Sequence, residues 1–226
     1  MMPDGILEIL EKHKKQFHPL VIRHENELIS PVDLSSSNPA FTDHIYNDLD
    51  RFSSFIEKEK EKAGSAYLTG GYKEIREMYR RSKLFDSSSE PRNIHLGIDI
   101  WGAAGTKIFA PLGGMVHGFA FNNNFGDYGP TIILQHQLDT INFYTLYGHI
   151  ALADLEYKRK GQFITRGENF AHFGNINENG SWPPHLHFQL ILDIGQYEGD
   201  YPGVCKLSES AKYLINSPDP AFLLQW

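Results

Sequence analysis

Ile94-His95-Leu96-Gly97-Ile98-Asp99-Ile100-Trp101 sets an apolar residue at every second position, and His185-Leu186-His187-Phe188-Gln189-Leu190-Ile191-Leu192 repeats the pattern later in the chain. A period of two marks a strand with one face packed inward. In the first stretch Ile94, Leu96, Ile98 and Ile100 make the buried face, leaving His95 and Asp99 on the other. In the second, Leu186, Phe188, Leu190 and Leu192 are buried and both histidines point the other way. Between them TKIFAP, GMVHGFAF, PTIILQH, INFYTLYGHI and NFAHFG are short β-rich runs separated by Gly, Asn and Pro. The reading is a mainly β fold, α+β overall, with an antiparallel sheet over residues 93–193.

Outside that span the texture changes. Ile6, Leu7, Ile9 and Leu10 recur at helical spacing, Phe41 to Lys62 reads as a longer helix with a solvated EKEKEKA tail, and Lys73 to Ser82 reads as a short amphipathic helix. Residues 1–92 are therefore expected to be a helical region packing on the β domain, with DSSSEPRN as the boundary. Residues 194–226 are expected to be a loop-rich extension.

The chain has 226 residues, enough for one large domain or two small ones. A hydrophobic fraction of 41% with 22% charged residues excludes a disordered chain, and a net charge of −7 argues against a reader of phosphate backbones. Cys205 is the single cysteine, so no internal disulfide is available, and it reads as an inert small hydrophobe. The first twenty residues show no signal-peptide pattern, and no window approaches the roughly 20 apolar residues of a membrane helix. The expected address is the cytoplasm, with no membrane or nucleic-acid partner.

Two H-x-x-x-D pairs occur. His44 and Asp48 lie in a polar helix, where such a pair is ordinarily a surface contact. His95 and Asp99 lie on a strand, where four residues span roughly 13 Å, so meeting at one ion needs a bend, and Gly97 at the midpoint permits one. His95, Asp99 and one histidine of the His185/His187 pair would give two nitrogens and one oxygen, a set that suits one zinc ion with a position open for water. Spacing alone leaves open which of His185 and His187 is the ligand. His149, after the strand-like run ending in Gly148, and the remaining histidine could accept the water's proton, because a nearby cation keeps an imidazole neutral. Metal-assisted hydrolysis is the reaction class this combination indicates.

The order His95-Leu-Gly97-Ile-Asp99, Tyr147-Gly-His149, His185-Leu-His187-Phe188 resembles the lysostaphin and LytM type of zinc metalloendopeptidase. APLGGMVHGFA, GPTIILQH and GQFITRGENFAHFG are similar to that family's intervening segments, so the resemblance covers about residues 93 to 192. It implies an antiparallel sheet whose loops wall a groove, zinc held by His95, Asp99 and His187, and catalysis by His149 and His185. The family's usual substrates are short Gly- or D-Ala-containing cross-bridges of peptidoglycan.

Two departures stand out. The loop before the histidine pair, Gly174 to Pro184, carries Glu178 and bulky Trp182 where the family has small residues, and is expected to reshape the groove. The missing signal peptide also contrasts with a family that is usually exported. GGYKEIREMY, FGDYGPTIILQH, ENGSWPPHLHFQLI, DYPGV and NSPDPAFLL are more narrowly similar to the LytM-type domain found between phosphotransferase-like and class III aminotransferase domains in larger chains. That resemblance implies work on a small amide or peptide inside the cell, and the substrate expected from the two resemblances together is a short peptide or a muropeptide-like fragment. The alternative expectation is a non-catalytic zinc-binding accessory module acting with a kinase-like or aminotransferase-like partner.

Among single residues, Asn122 to Gly129 reads as a turn-rich loop that could line the groove. Tyr147 is expected to share a strand face with His149. His117, His136 and His172 lack motif partners.

Overall fold

The computed structural model describes residues 3–85 and 89–225. In chain order it contains α1 (Pro3–His13), β1 (Leu28–Pro31), α2 (Asp43–Tyr46), α3 (Leu49–Ala63), β2 (Ser65–Gly70), β3 (Ile94–His95), β4 (Ile98–Trp101), β5 (Lys107–Phe109) and β6 (Gly114–Asn122). β7 (Gly129–Leu138), β8 (Ile141–Gly148), β9 (Phe163–Ile164), β10 (Asn169–His172), β11 (His185–Ile191), β12 (Val204–Cys205) and α4 (Ser210–Asn216) follow. Eight strands make one sheet in the order β1-β2-β4-β11-β8-β7-β6-β9. Its neighbours are antiparallel except β1 and β2, which run parallel. The mainly β architecture with a few helices is as the alternation predicted.

The N-terminal residues are less helical than their pattern suggested. β1 and β2 extend the sheet beyond β4, and the segment read as one helix from Phe41 to Lys62 is two. Asp48 is the cause of the break: its backbone is extended, and its carboxylate accepts a hydrogen bond from the Arg51 amide at 3.0 Å, capping α3. Gly64, with φ 62°, ends α3 in the left-handed conformation. The amphipathic run at Lys73 to Ser82 forms only a 3-10 turn over Glu77–Arg81. Its first part lies along β3 instead, where the Arg76 amide donates to Asn93 and the His95 amide to Glu74. Of the DSSSEPRN boundary, residues 86–88 lie outside the described residues. The C-terminal extension supplies β12, which pairs with β3, and α4; Trp226 lies outside the described residues.

Ile98 and Ile100 of β4, Ile132 and Leu134 of β7, and Leu186, Phe188 and Leu190 of β11 pack with Ile6 and Leu10 of α1 in the main core. The other face of the sheet is covered in two parts. Tyr128, Ile133, Leu146, Ile191 and Tyr201 form one cluster, while Phe52, Ile56, Leu68, Tyr79, Trp101 and Trp182 join α3 to the edge of β4. Ile94 and Leu96 bury against Cys205 instead of the main core, and burial pushes the Cys205 thiol up to about 11, consistent with an inert cysteine.

His136, in β7, is wholly inside the fold. Its Nδ1 is 3.0 Å from the Gly113 carbonyl, and Thr145 Oγ1 bridges its Nε2 at 2.6 Å and the Tyr147 hydroxyl at 2.9 Å. Burial lowers its pKa to about 4. The unfolded chain, with an ordinary histidine near ~6.5, therefore binds the extra proton first, and stability falls as pH drops from about 6.5 to about 4, by about 3 kcal/mol from this group. Denaturant unfolding of His136→Gln should show a shallower acid limb than the native chain. Identical limbs would assign the acid sensitivity elsewhere.

Candidate metal centre and active site

The site is assembled by the pairing of β4 with β11. Asp99 stands directly opposite His187, and Trp101 opposite His185, on the face away from the main core. The chain breaks between β3 and β4 at Leu96-Gly97, which supplies the bend that brings His95 back toward Asp99. Gly97 is also required by space, because a Cβ there would lie 2.6 Å from His187 Cε1.

His95 Nε2, His187 Nδ1 and Asp99 Oδ1 form a triangle with sides of 2.8, 3.2 and 3.4 Å. A tetrahedral zinc with bonds of ~2.1 Å separates neighbouring donors by roughly 3.4 Å, so this triangle approximates one face of that tetrahedron. Among the described residues this is the cluster of three metal-ligating groups whose donors converge, and all three are buried.

The far side of each ring settles its tautomer. His95 Nδ1–H donates to the Gly71 carbonyl at 2.9 Å, leaving Nε2 as the lone pair. Gln189 donates from its amide nitrogen to Pro202 and Ser217, so its oxygen faces His187 Nε2–H at 3.0 Å, leaving His187 Nδ1 as the lone pair. Burial pushes His95 down to about 4. Against the upward push of burial, His95 and Arg76 hold the Asp99 carboxyl well below the usual carboxylate range. A neutral His95 and an ionised Asp99 are the protonation states a zinc site needs of these ligands.

His149 and His185 face each other beside this triangle, with ring centroids 4.2 Å apart, and His185 Nε2 is 3.9 Å from Asp99 Oδ1. His185 stacks on Trp101 at 3.9 Å and donates from Nδ1 to the Pro183 carbonyl, while His149 donates from Nδ1 to the Asn179 carbonyl, both at 2.8 Å. Each therefore keeps Nε2 as an acceptor. Burial takes His185 to about 4, and burial together with the neighbouring histidines holds His149 well below its ordinary value, so both are neutral at pH 7.

His149 follows β8 at φ 62°, a left-handed conformation uncommon for a non-glycine residue and held by its amide bonding to Tyr128 and its carbonyl to Gly174. This turn separates it from Tyr147, contrary to the shared face expected from alternation. Tyr147 packs in the main core against Phe170 and Phe188. The Gly174 to Pro184 loop is stapled by buried Asn179, whose side chain bonds Gly174 and both backbone groups of Trp182. Glu178 bonds the Asn175 and Leu152 amides within that loop's base, and Trp182 takes the place at the site.

These groups line a cavity of about 200 Å³ together with Met78, Tyr79, Phe85, Trp182 and residues 126–128 and 201–204. The turn-rich loop thus reaches the site. His44 and Asp48 are exposed and remote from it, His117 bonds the Tyr197 carbonyl, and His172 pairs with Asp154. Sequence reading missed Arg76, which donates to Asp99, and Gln189. Gln189 was legible as the next same-face residue after His187, whereas Glu74 and Arg76 were hidden in a stretch read as a short amphipathic helix.

Residues 93–197 match peptidase family M23. Among solved structures, the catalytic domain of the antimicrobial peptidase lysostaphin from Staphylococcus simulans is 20% identical, with 76% of this chain and 96% of that one covered and a TM-score of 0.44. A zinc-containing peptidase from Vibrio cholerae is 25% identical over 43% of this chain, at a TM-score of 0.35, and the match spans only 27% of that protein. A mutant catalytic domain of the prophage-encoded M23 protein EnpA from Enterococcus faecalis is 21% identical, covering 49% and 76% of the two chains at a TM-score of 0.37. No curated protein matches the chain.

Proposed function

We propose that residues 93–197, which match peptidase family M23, are a domain of the lysostaphin and LytM type and that the protein is a zinc metalloendopeptidase. Its substrate is a short peptide or a peptidoglycan-derived, muropeptide-like molecule, cleaved at a peptide or amide bond by activated water. The observation that carries this reading is the juxtaposition of the His95, Asp99, His187 triangle with two histidines whose Nε2 atoms remain acceptors. A closed structural zinc site has four protein ligands and no use for such a pair, which favours turnover over an accessory module.

His95, Asp99 and His187 would hold the ion, which when bound supplies Lewis acidity and a water of lowered pKa. His149 and His185 then take and hold the proton at Nε2, with their Nδ1–H bonds to fixed carbonyls keeping that atom aimed into the cavity. With the rings 4.2 Å apart, only one of the pair is charged at a time, so the proton taken up is delivered readily to the departing amine. At about 200 Å³ the cavity is small against the ~300–1,000 Å³ of drug-sized sites, which limits the enclosed part of a substrate to a few small residues. The cytoplasmic address belongs to the same proposal.

Zinc-loaded protein should cleave at least one of a panel of short Gly- and D-Ala-containing peptides and muropeptides, and lose the activity to a chelator. Full zinc occupancy with no cleavage across the panel would turn the reading toward the accessory module.

A further inference from the structure

We propose that Arg76, pinned by Glu74, is a positioning residue for Asp99, so that the segment from Gly71 to Arg76 belongs to the metal centre although it lies outside the matched residues 93–197. The inference rests on the reading of His95, Asp99 and His187 as zinc ligands.

Arg76 is fully buried, a rare condition for arginine outside a paired site. Its Nη1 donates to Asp99 Oδ2 and, at 3.2 Å, to the Tyr79 hydroxyl, while Nε donates to Glu74 Oε2. Oδ2 of Asp99 is thereby engaged on the side away from the donor triangle, and Oδ1 alone is presented to His95 and His187. That arrangement selects one-oxygen ligation and keeps the fourth position open.

The geometry is specific to arginine. Its planar fork reaches Glu74, Tyr79 and Asp99 together, which a lysine ammonium cannot do from one position. Glu74 is itself fixed, because its Oε1 accepts the Leu34 amide at 3.0 Å. Its negative charge balances the buried guanidinium, so the cation does not oppose an ion bound nearby. Gly71 completes the unit: its carbonyl orients His95, and a Cβ at this glycine would stand within 2.9 Å of both Arg76 Cζ and His95 Nδ1. One short segment thus holds two of the three ligands from behind.

The test is a chelator-competition titration of zinc, with visible spectra of the cobalt-substituted proteins, on the full chain and on Arg76→Met, Arg76→Lys and Glu74→Gln. Supporting hydrogen bonds to metal ligands typically contribute 10- to 100-fold in affinity, and Arg76→Met should lose that much. Arg76→Lys should recover part of it. Glu74→Gln keeps one carbonyl oxygen for the Leu34 amide but sets an amide NH2 where the second oxygen accepted from Arg76, so it removes both the charge and the pin on the guanidinium and should bind zinc about tenfold more weakly. The cobalt spectrum of Arg76→Met should also change as Asp99 relaxes. Lower thermal stability with unchanged zinc affinity and an unchanged cobalt spectrum in Arg76→Met and Glu74→Gln would overturn the inference. Failure of the unmodified chain to bind zinc would instead remove the three-ligand reading, and this inference with it.

Discussion

His149→Ala and His185→Ala should each cut peptide cleavage by ~10²- to 10⁴-fold while leaving one zinc per chain, the usual effect of removing a general acid or base. The expectation follows from where the two rings are held. Neither contributes a donor to the His95, Asp99, His187 triangle, and both have Nδ1 committed to a backbone carbonyl. Losing either leaves the other with no neighbour to share the proton, so the double variant should fall little below the worse single variant. The His185 change also strips a stacking partner from Trp101, so its melting temperature must be read beside its rate. Rates equal to the native chain in both variants would remove the pair from the mechanism.

The ligand variants should behave in the opposite order. His95→Ala, Asp99→Ala and His187→Ala each delete one corner of a three-donor set, and zinc affinity should drop by more than the roughly 100-fold that loss of a supporting hydrogen bond costs. Gly97→Ala removes no donor but should act in the same direction, because its methyl group would displace the His187 ring. His44→Ala and Asp48→Ala should bind zinc normally, since Asp48 caps α3 on the exposed surface. Equilibrium zinc titration separates the two groups. Native affinity in His187→Ala would mean that His185 is the ligand and that the roles of the pair are exchanged.

The elements that were legible in the sequence are those whose side chains alternate without interruption. Residues 98–101 and 185–191 face two ways on a buried sheet, and such strands must segregate apolar from polar positions. The bend at Gly97 was legible for the same reason, as a residue without a side chain in the middle of a motif that had to close on itself.

What escaped the reading was decided by tertiary contact. β1 contains Pro31 and β2 is half-buried along most of its length, so neither shows an alternation, yet β2 pairs with β4 and β1 with β2 to extend the sheet. Residues 74–76 have a pattern suited to a helix but instead run beside β3, which turns Arg76 inward under Asp99. The relation of Tyr147 to His149 failed because alternation assumes extended backbone, and the left-handed residue at position 149 rotates its side chain out of register. Trp182 was legible as an oddity of its loop. Its role as the joint between that loop, α3 and Tyr79 required the packing itself.

The central claim is a zinc ion held by two imidazoles and one carboxylate oxygen with a position left for water. X-ray absorption at the zinc edge, on protein loaded with one equivalent of zinc, tests it most directly. The account predicts four nitrogen or oxygen neighbours at ~2.0–2.2 Å, two of them imidazoles, and loss of one imidazole in His187→Ala but not in His149→Ala. A shell with three or more imidazoles, or an identical shell in His187→Ala, would contradict it.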